Sequence, residues 1–447
     1  MKIEMDNNQL KEFLLNTPRK ELIESIEDIH PADILDTLHE YEDDILPILI
    51  DLPEEIIAAI IDEAEDEEKF NILSKFPESK QKAIVQEMSS DELANLVGNL
   101  DEEESEKILE KMNEEDAEDV RQLLTYAPDT AGGIMATEFI TIQETMSVKE
   151  TLKYLQKVAP DAESAYYLYV TDDKNTLKGV VSLREMVISP FDTIISEIMN
   201  KNVISVPYDM DQEEVGHIFE RYGFLTIPVV DYKDNLLGIV TVDDIMQILR
   251  DETTEDIHRL GGVAEGEKIN GTLIESVKSR LPWLFVNLLT AILASATVSL
   301  FEGTISKVVI LATFMPIVAG MGGNAGTQTL TIVVRGIALG ELTFENSKRI
   351  FFKEIGVGLA NGVAIGVAIA ILGSLWAGKP IFGLVIGLAM ILNMTAATMA
   401  GFIVPVILKK LKIDPALASA VFVTTVTDVL GFFFFLGLAT LFVTYLV

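Results

Sequence analysis

Residues 421–435 read VFVTTVTDVLGFFFF, an apolar run with one aspartate at its centre. Placing Asp in the middle of a membrane helix costs about 2.5–3.5 kcal/mol, so Asp428 must face a water-filled path or a partner. Thr424 lies one turn earlier on the same face, and Thr425 and Thr427 add further oxygens. Carboxylate and hydroxyl oxygens are the ligands that a hard cation takes. A protonated Asp bonded between helices is the alternative reading.

Four more runs flank this one. Segments near 283–301, 308–333, 355–377, 381–408 and 415–447 are all long and apolar, and about 20 such residues cross ~30 Å of hydrocarbon as a helix. Five crossings are expected. Lys and Arg gather before the first run (Lys278, Arg280), around the second loop (Arg335, Lys348, Arg349, Lys353) and in the fourth (Lys409, Lys410, Lys412). Short cytoplasmic loops concentrate these residues, which puts the N-terminus inside and Val447 outside. The opening MKIEMDNNQL has no apolar core of a secretory signal.

Within the second run, PIVAGMGGNAGTQTLTIVVRG combines Pro316, Gly320, Gly322, Gly323 and Gly326 with Asn324, Thr327 and Gln328. Helix-weakening residues beside polar ones predict a broken or kinked helix along a polar path; ordinary packing through glycine is the other reading. Asn393, Thr395 and Thr398 add uncharged polar groups in the fourth run. Gly358, Gly362 and Gly366 recur at four-residue spacing in the third, a face that lets helices approach closely.

Charge divides the chain in two. Nine basic and six acidic residues follow Leu281, leaving 25 basic and 64 acidic in 1–280, a net of −39 before that point and +3 after it. So acidic a surface disfavours nucleic acid. The absence of cysteine excludes disulfides, thiolate metal sites and cysteine nucleophiles. All four histidines precede the membrane runs, which hold one deeply placed acid, so neither a paired-histidine zinc protease nor a two-aspartate protease can be built within the bilayer. The protein is not expected to be an enzyme.

The acidic half has its own order. Leu52, Phe76, Leu100 and Leu124 recur every 24 residues, with Pro53, Pro77 and Asp101 opening the next unit, as in stacked helix pairs. Acidic pairs (Asp43-Asp44, Glu67-Glu68, Asp91-Glu92, Glu115-Asp116) share that register and predict an acidic ridge; capping of each second helix is the simpler reading of any one pair. From about Met135 a helix, strand, turn, strand, helix pattern occurs twice, with turns at Asp172–Asn175 and Asp231–Asn235. A helix then continues as IMQILRDETTEDIHRL to a stop at Gly261-Gly262.

The doubled pattern resembles a tandem CBS pair. Its strand-to-helix signature stands as Gly238, Thr241 and Asp244, and in the first copy as Gly179, Ser182 and Glu185. The order of parts, with YAPDTAGGIMATEF, GMGGNAGTQ and TTVTDVLG, resembles the MgtE family of magnesium channels. The resemblance implies a multi-domain membrane protein: a superhelical α-helical-repeat N domain (1–134), an α/β CBS pair (135–199 and 200–245), a connecting or plug helix (246–280) and a five-helix transmembrane domain (281–447). It implies a homodimer in the cell membrane with Asp428 of both copies holding hydrated Mg2+; the reading of the residues adds Thr424 to that site and places Asn324, Thr327, Gln328 and Asn393 along the path. Sensing acids carry over to Asp91, Asp244, Glu252, Glu255, Asp256 and Asp414, whereas Asn95 and Gln247 stand where the family usually has acids. ATP is one candidate ligand of the CBS pair, a regulatory pair that binds no nucleotide being the other reading, and Glu185 departs from the signature's Asp in the first copy.

The expected activity is Mg2+ uptake down its gradient, closed when intracellular Mg2+ binds the acidic domains. Magnesium keeps several waters, so few carboxylates suffice. Two charges crossing 100 mV release about 4.6 kcal/mol. Transport of another divalent ion such as Co2+ or Mn2+ is an alternative, disfavoured by the lack of His and Cys in the membrane half. A membrane sensor that transports nothing is another, disfavoured by polar groups at mid-bilayer.

Overall fold

In the acidic half, helices begin at Glu54, Glu78 and Glu102 and again at Asp66, Ser90 and Glu114, the 24-residue register of the sequence. The computed structural model describes residues 5–26, 28–158, 162, 164–264, 267, 269, 271–417 and 420–447. These form two units, Met1–Leu249 and Arg250–Val447.

Pro53, Pro77 and Asp101 sit at the N-caps of successive first helices, where a proline loses no helical hydrogen bond and an Asp accepts from free N–H groups. Leu52 and Phe76 are buried and Leu100 is partly buried, whereas Leu124, at the end of the stack, is exposed. The expected acidic ridge is interrupted at its third pair. Asp91 is buried, and Glu92 pairs with the fully buried Lys69. The side chains of Asp43, Asp44, Glu67 and Glu115 lie outside the described residues.

Two three-stranded sheets follow. β1 (Thr141–Gln143) pairs parallel with β2 (Tyr167–Thr171), which pairs antiparallel with β3 (Leu177–Ser182); β4 (Val206–Pro207), β5 (Thr226–Val230) and β6 (Leu236–Thr241) repeat the order. In the two hairpins Asp172 and Asp231 accept backbone N–H bonds from the turns they open, and Asn175 and Asp234 take positive φ. Such Asx turns suit short polar side chains. The hairpins bond each other through Leu177 N–H to Asp234 O (2.9 Å) and Leu236 N–H to Asn175 O (3.0 Å).

The YAPDTAGGIMATEF stretch joins the repeats to the second copy. Ala131 and Gly132 donate to Met210 O and Tyr208 O, and Ala136 bridges Ile239. A Cβ at Gly133 would run into the Ala127–Pro128 backbone, so the turn needs glycine. One core consequently runs from the repeats into the second CBS copy, while the first copy has its own.

Helix Val242–Gly261 is the connector. It stops where the sequence says, with Gly262 at φ 69°. In the second unit, the described residues then form five helices of 22 to 34 residues, here the first to fifth membrane helices: Leu273–Ser299, Ile310–Ala338, Phe344–Ala377, Pro380–Lys410 and Ala420–Leu441. Four are long and apolar enough to cross a membrane; the second, diluted by glycine and amides, falls outside that group. The third and fourth pack through glycine: a Cβ at Gly358 would meet Thr398, and one at Gly366 would meet Gly387 O. In lipid, close approach of this kind is what holds helices together.

Candidate functional site

The second membrane helix is one continuous helix across Pro316 and its glycines, which corrects the expected break. The glycines serve close approach. Gly323 lies against Thr424, and Gly326 against Val423 and Thr427, so the second helix presses on the fifth at the level of the threonines. On the outward face of the second helix Asn324 and Gln328 are exposed and Thr327 is half-buried. Thr331 and Arg335 continue the exposed stripe at three- and four-residue steps.

Thr424 and Asp428, on the fifth helix, are half-buried. Thr424, Thr425 and Thr427 donate their hydroxyl protons to their own helix backbone, at Val421 O, Val421 O and Thr424 O. Their oxygens retain lone pairs for a cation or its waters. Thr427 is fully buried against the second helix, whereas Thr424, Thr425 and Asp428 keep partial access.

Asn393 does not belong to this stripe. It is fully buried, donates to Val318 O (2.9 Å) and occupies the space left by Gly322 and Gly431. The pore-lining expectation is therefore corrected: in this conformation Asn393 locks three helices together, because further chains can only bury it more.

The first unit brings Asp91 and Asp244 together. Asp91, in the first turn of the helix Ser90–Gly98, is 5% exposed, and among the described residues one of its carboxylate oxygens has no hydrogen-bond partner. Burial pushes its carboxyl up, and the Glu138 charge adds to this. Asp244, in the first turn of the connector, accepts from the Thr241 hydroxyl and is pushed to about 6 by burial and by Asp91. Glu138 accepts from Ser90 N–H (3.1 Å) and Ser90 Oγ (2.8 Å). Sequence reasoning missed Glu138; its signal was an acid in the stretch that joins the repeats to the CBS pair.

The second unit assembles the other acids. Asp256 is pushed to about 6 by burial, then by Asp414 and Glu252, with Arg335 acting in the opposite sense. Arg259, also unforeseen, bonds both Glu255 and Asp414. Leu260 packs against the cluster of Leu330, Val334, Ala416 and Val423, and Gly262 lies against Val421, which seats the connector end on the membrane helices. Val423 lies five residues from Asp428, about 7.5 Å along the helix.

Asn95 and Gln247 are placed on the helices that carry Asp91 and Asp244. Among the described residues no three Asp, Glu or His converge as a metal cage. Desolvated carboxylates in pairs suit an ion that keeps most of its water.

Residues 29–129 match the MgtE intracellular N domain, 131–189 and 195–251 the CBS domain, and 315–438 the MgtE divalent cation transporter family. The magnesium transporter MgtE of Enterococcus faecalis is 39% identical over 333 residues, 74% of this chain and 73% of that one. That of Thermus thermophilus is 39% identical over 72% of each chain. The crystal structure of the soluble part of a magnesium transporter, 35% identical, matches 55% of this chain and 98% of its own with a TM-score of 0.52. The cytosolic domain of the Mg2+ channel MgtE in complex with ATP, also 35% identical, matches 54% of this chain and 99% of its own with a TM-score of 0.51. With the helical repeats, the CBS pair, the connector and the apolar helices in the family's order, the chain belongs to the MgtE family of membrane-embedded divalent cation transporters.

Proposed function

We propose that this protein is a magnesium channel that admits Mg2+ down its electrochemical gradient and is closed by Mg2+ on the cytoplasmic side. The observation that carries the reading is Asp428 with Thr424 on the helix that packs against the second, whose polar stripe holds half-buried Thr327 and exposed Asn324 and Gln328. A charged or amide group exposed on an apolar helix is costly in lipid, and water or a second copy relieves that cost. In the homodimer two Asp428 carboxylates face each other across the axis and hold the ion through its waters, with the threonine and amide oxygens accepting from those waters. The Lys and Arg at the ends of the second to fourth helices orient the chain with its N-terminus in the cytoplasm.

Closure follows from the two carboxylate clusters. Asp91 with Asp244, and Glu252, Glu255 and Asp256 with Asp414, repel while metal-free. An ion at each binds the assembled form better and shifts the population toward it. Because Gly262, at the end of the connector, lies against Val421, docking of the connector bears on the helix that carries Asp428.

In liposomes, uptake of magnesium is expected to fall at least tenfold in Asp428→Asn, with the protein still dimeric by light scattering, and to fall in the native chain when magnesium is raised on the cytoplasmic face. Wild-type flux through Asp428→Asn would overturn the channel reading. Uptake of cobalt or manganese in preference to magnesium would favour the rival cargo.

ATP is the second ligand in this reading. An open cleft in the CBS pair is lined by Tyr166, Ser182, Arg184, Val187 and Leu225, where a guanidinium suits phosphate and the apolar wall suits a base. Glu185 does not enter that role, since it caps its own helix through Ser182. Titration with ATP should give saturable binding to the full chain that Arg184→Ala removes; equal binding to both would place the nucleotide elsewhere.

A further inference from the structure

Arg259 is a cation that the chain supplies to its own acidic cluster. It stands in the last turn of the connector helix, and its guanidinium bonds Glu255 one turn back. It also bonds Asp414, 155 positions away, in the turn before the fifth membrane helix. The side chains of Arg259 and Asp414 are 20% and 30% exposed. Guanidinium–carboxylate bonds shielded to this degree hold better than those at a free surface. Glu255 and Asp414 are also among the acids assigned above to the closing ion. An ion cannot take the oxygens that the guanidinium holds without displacing it.

Resting on that assignment, we infer that Arg259 is a tethered competitor of magnesium: it holds the connector on the Asp414 turn when the ion is absent and releases Asp414 to the ion when it arrives. Two cations that exclude each other at one carboxylate have a definite thermodynamic signature. The guanidinium raises the docked population without metal, lowers the apparent affinity for the ion, and leaves the saturated state unchanged. The arginine thereby sets the floor of the magnesium response and narrows its range. An ion pair that merely builds the fold would be needed at every magnesium concentration.

Amide hydrogen exchange of residues 250–261, read by mass spectrometry on the full chain in nanodiscs, tests this with EDTA and with saturating magnesium. In EDTA, Arg259→Gln should exchange about fivefold faster than the native chain, with Arg259→Lys between the two. At saturating magnesium all three should coincide, so the glutamine variant gains most from the ion. Equal exchange in EDTA would show an idle guanidinium and overturn the inference. Faster exchange of Arg259→Gln at saturating magnesium would also overturn it, by making the arginine part of the locked state. If the native chain gains nothing from magnesium, the assignment of the closing ion fails and the competitor role with it; a surviving difference in EDTA would then mark that failure as one of the ion rather than of the tether.

Discussion

Asp91 and Asp244 sit among acids, hydroxyls and backbone N–H groups, and the charges that act on them are each other, Glu138 and Asp243. Asp256 and Asp414 sit among acids too, but Arg335 and Arg259 reach into their cluster. Burial raises Asp244 and Asp256 alike to about 6. What differs is the source of relief. The second cluster carries arginines of its own, whereas among the described residues the charges that act most on Asp91 and Asp244 are acidic, so in the proposed reading a proton or a metal ion supplies their counter-charge. Two clusters of the same residue type can therefore divide the work: one responds steeply to the ion, and the other responds against an internal competitor.

Neutralising one acid in each cluster is the strongest way to break this contrast. Asp244→Asn keeps an oxygen for the Thr241 hydroxyl and removes the repulsion with Asp91, so the metal-free calorimetric transition of the full chain should rise by about 4 °C. Its further rise with magnesium should shrink, since stabilisation by a ligand follows occupancy of the site lost. Asp256→Asn, which also removes an attraction to Arg335, should shift the same measurement by less than about half as much. Equal shifts would erase the distinction between the clusters.

How far these features were legible in sequence depended on whether the signal was local. The 24-residue register, the Asx turns at Asp172 and Asp231 and the stop at Gly262 each depend on a few neighbouring residues, and all appear where the sequence puts them. The short strands β1 and β4 went unread because three and two residues are too few to show a period of two. Gly322 and Asn393 misled for a different reason. Glycine weakens a helix only until a partner fills the space, and the partner is 71 positions away on the fourth helix. Glu138 and Arg259 were passed over for the same reason, since each gains its meaning from Ser90 or Asp414, far off in the chain.

Acidity offers a gentler way to sharpen the same contrast, because a proton can do at Asp91 and Asp244 part of what the ion does. Both carboxyls are raised in the folded state, Asp244 to about 6 from an ordinary 3.8. Between these values the folded chain binds more protons than the unfolded one, so this contribution to stability is fully present below about 4 and is lost as the pH rises through about 6. Asp172, held at about 2 by backbone N–H groups, and Glu267, held at about 2 by Arg280, titrate well below that window and leave its sign unchanged. In EDTA, lowering the pH from 7.5 to 5.5 should raise the calorimetric transition by about 2–3 °C. Asp244→Asn should blunt that rise more than Asp256→Asn does. In saturating magnesium the trend should flatten or reverse, because protons then compete with a bound ion instead of relieving a bare charge. A transition that is level with pH in EDTA would mean that Asp91 and Asp244 are relieved without either cation, and the division between the two clusters would fall with it.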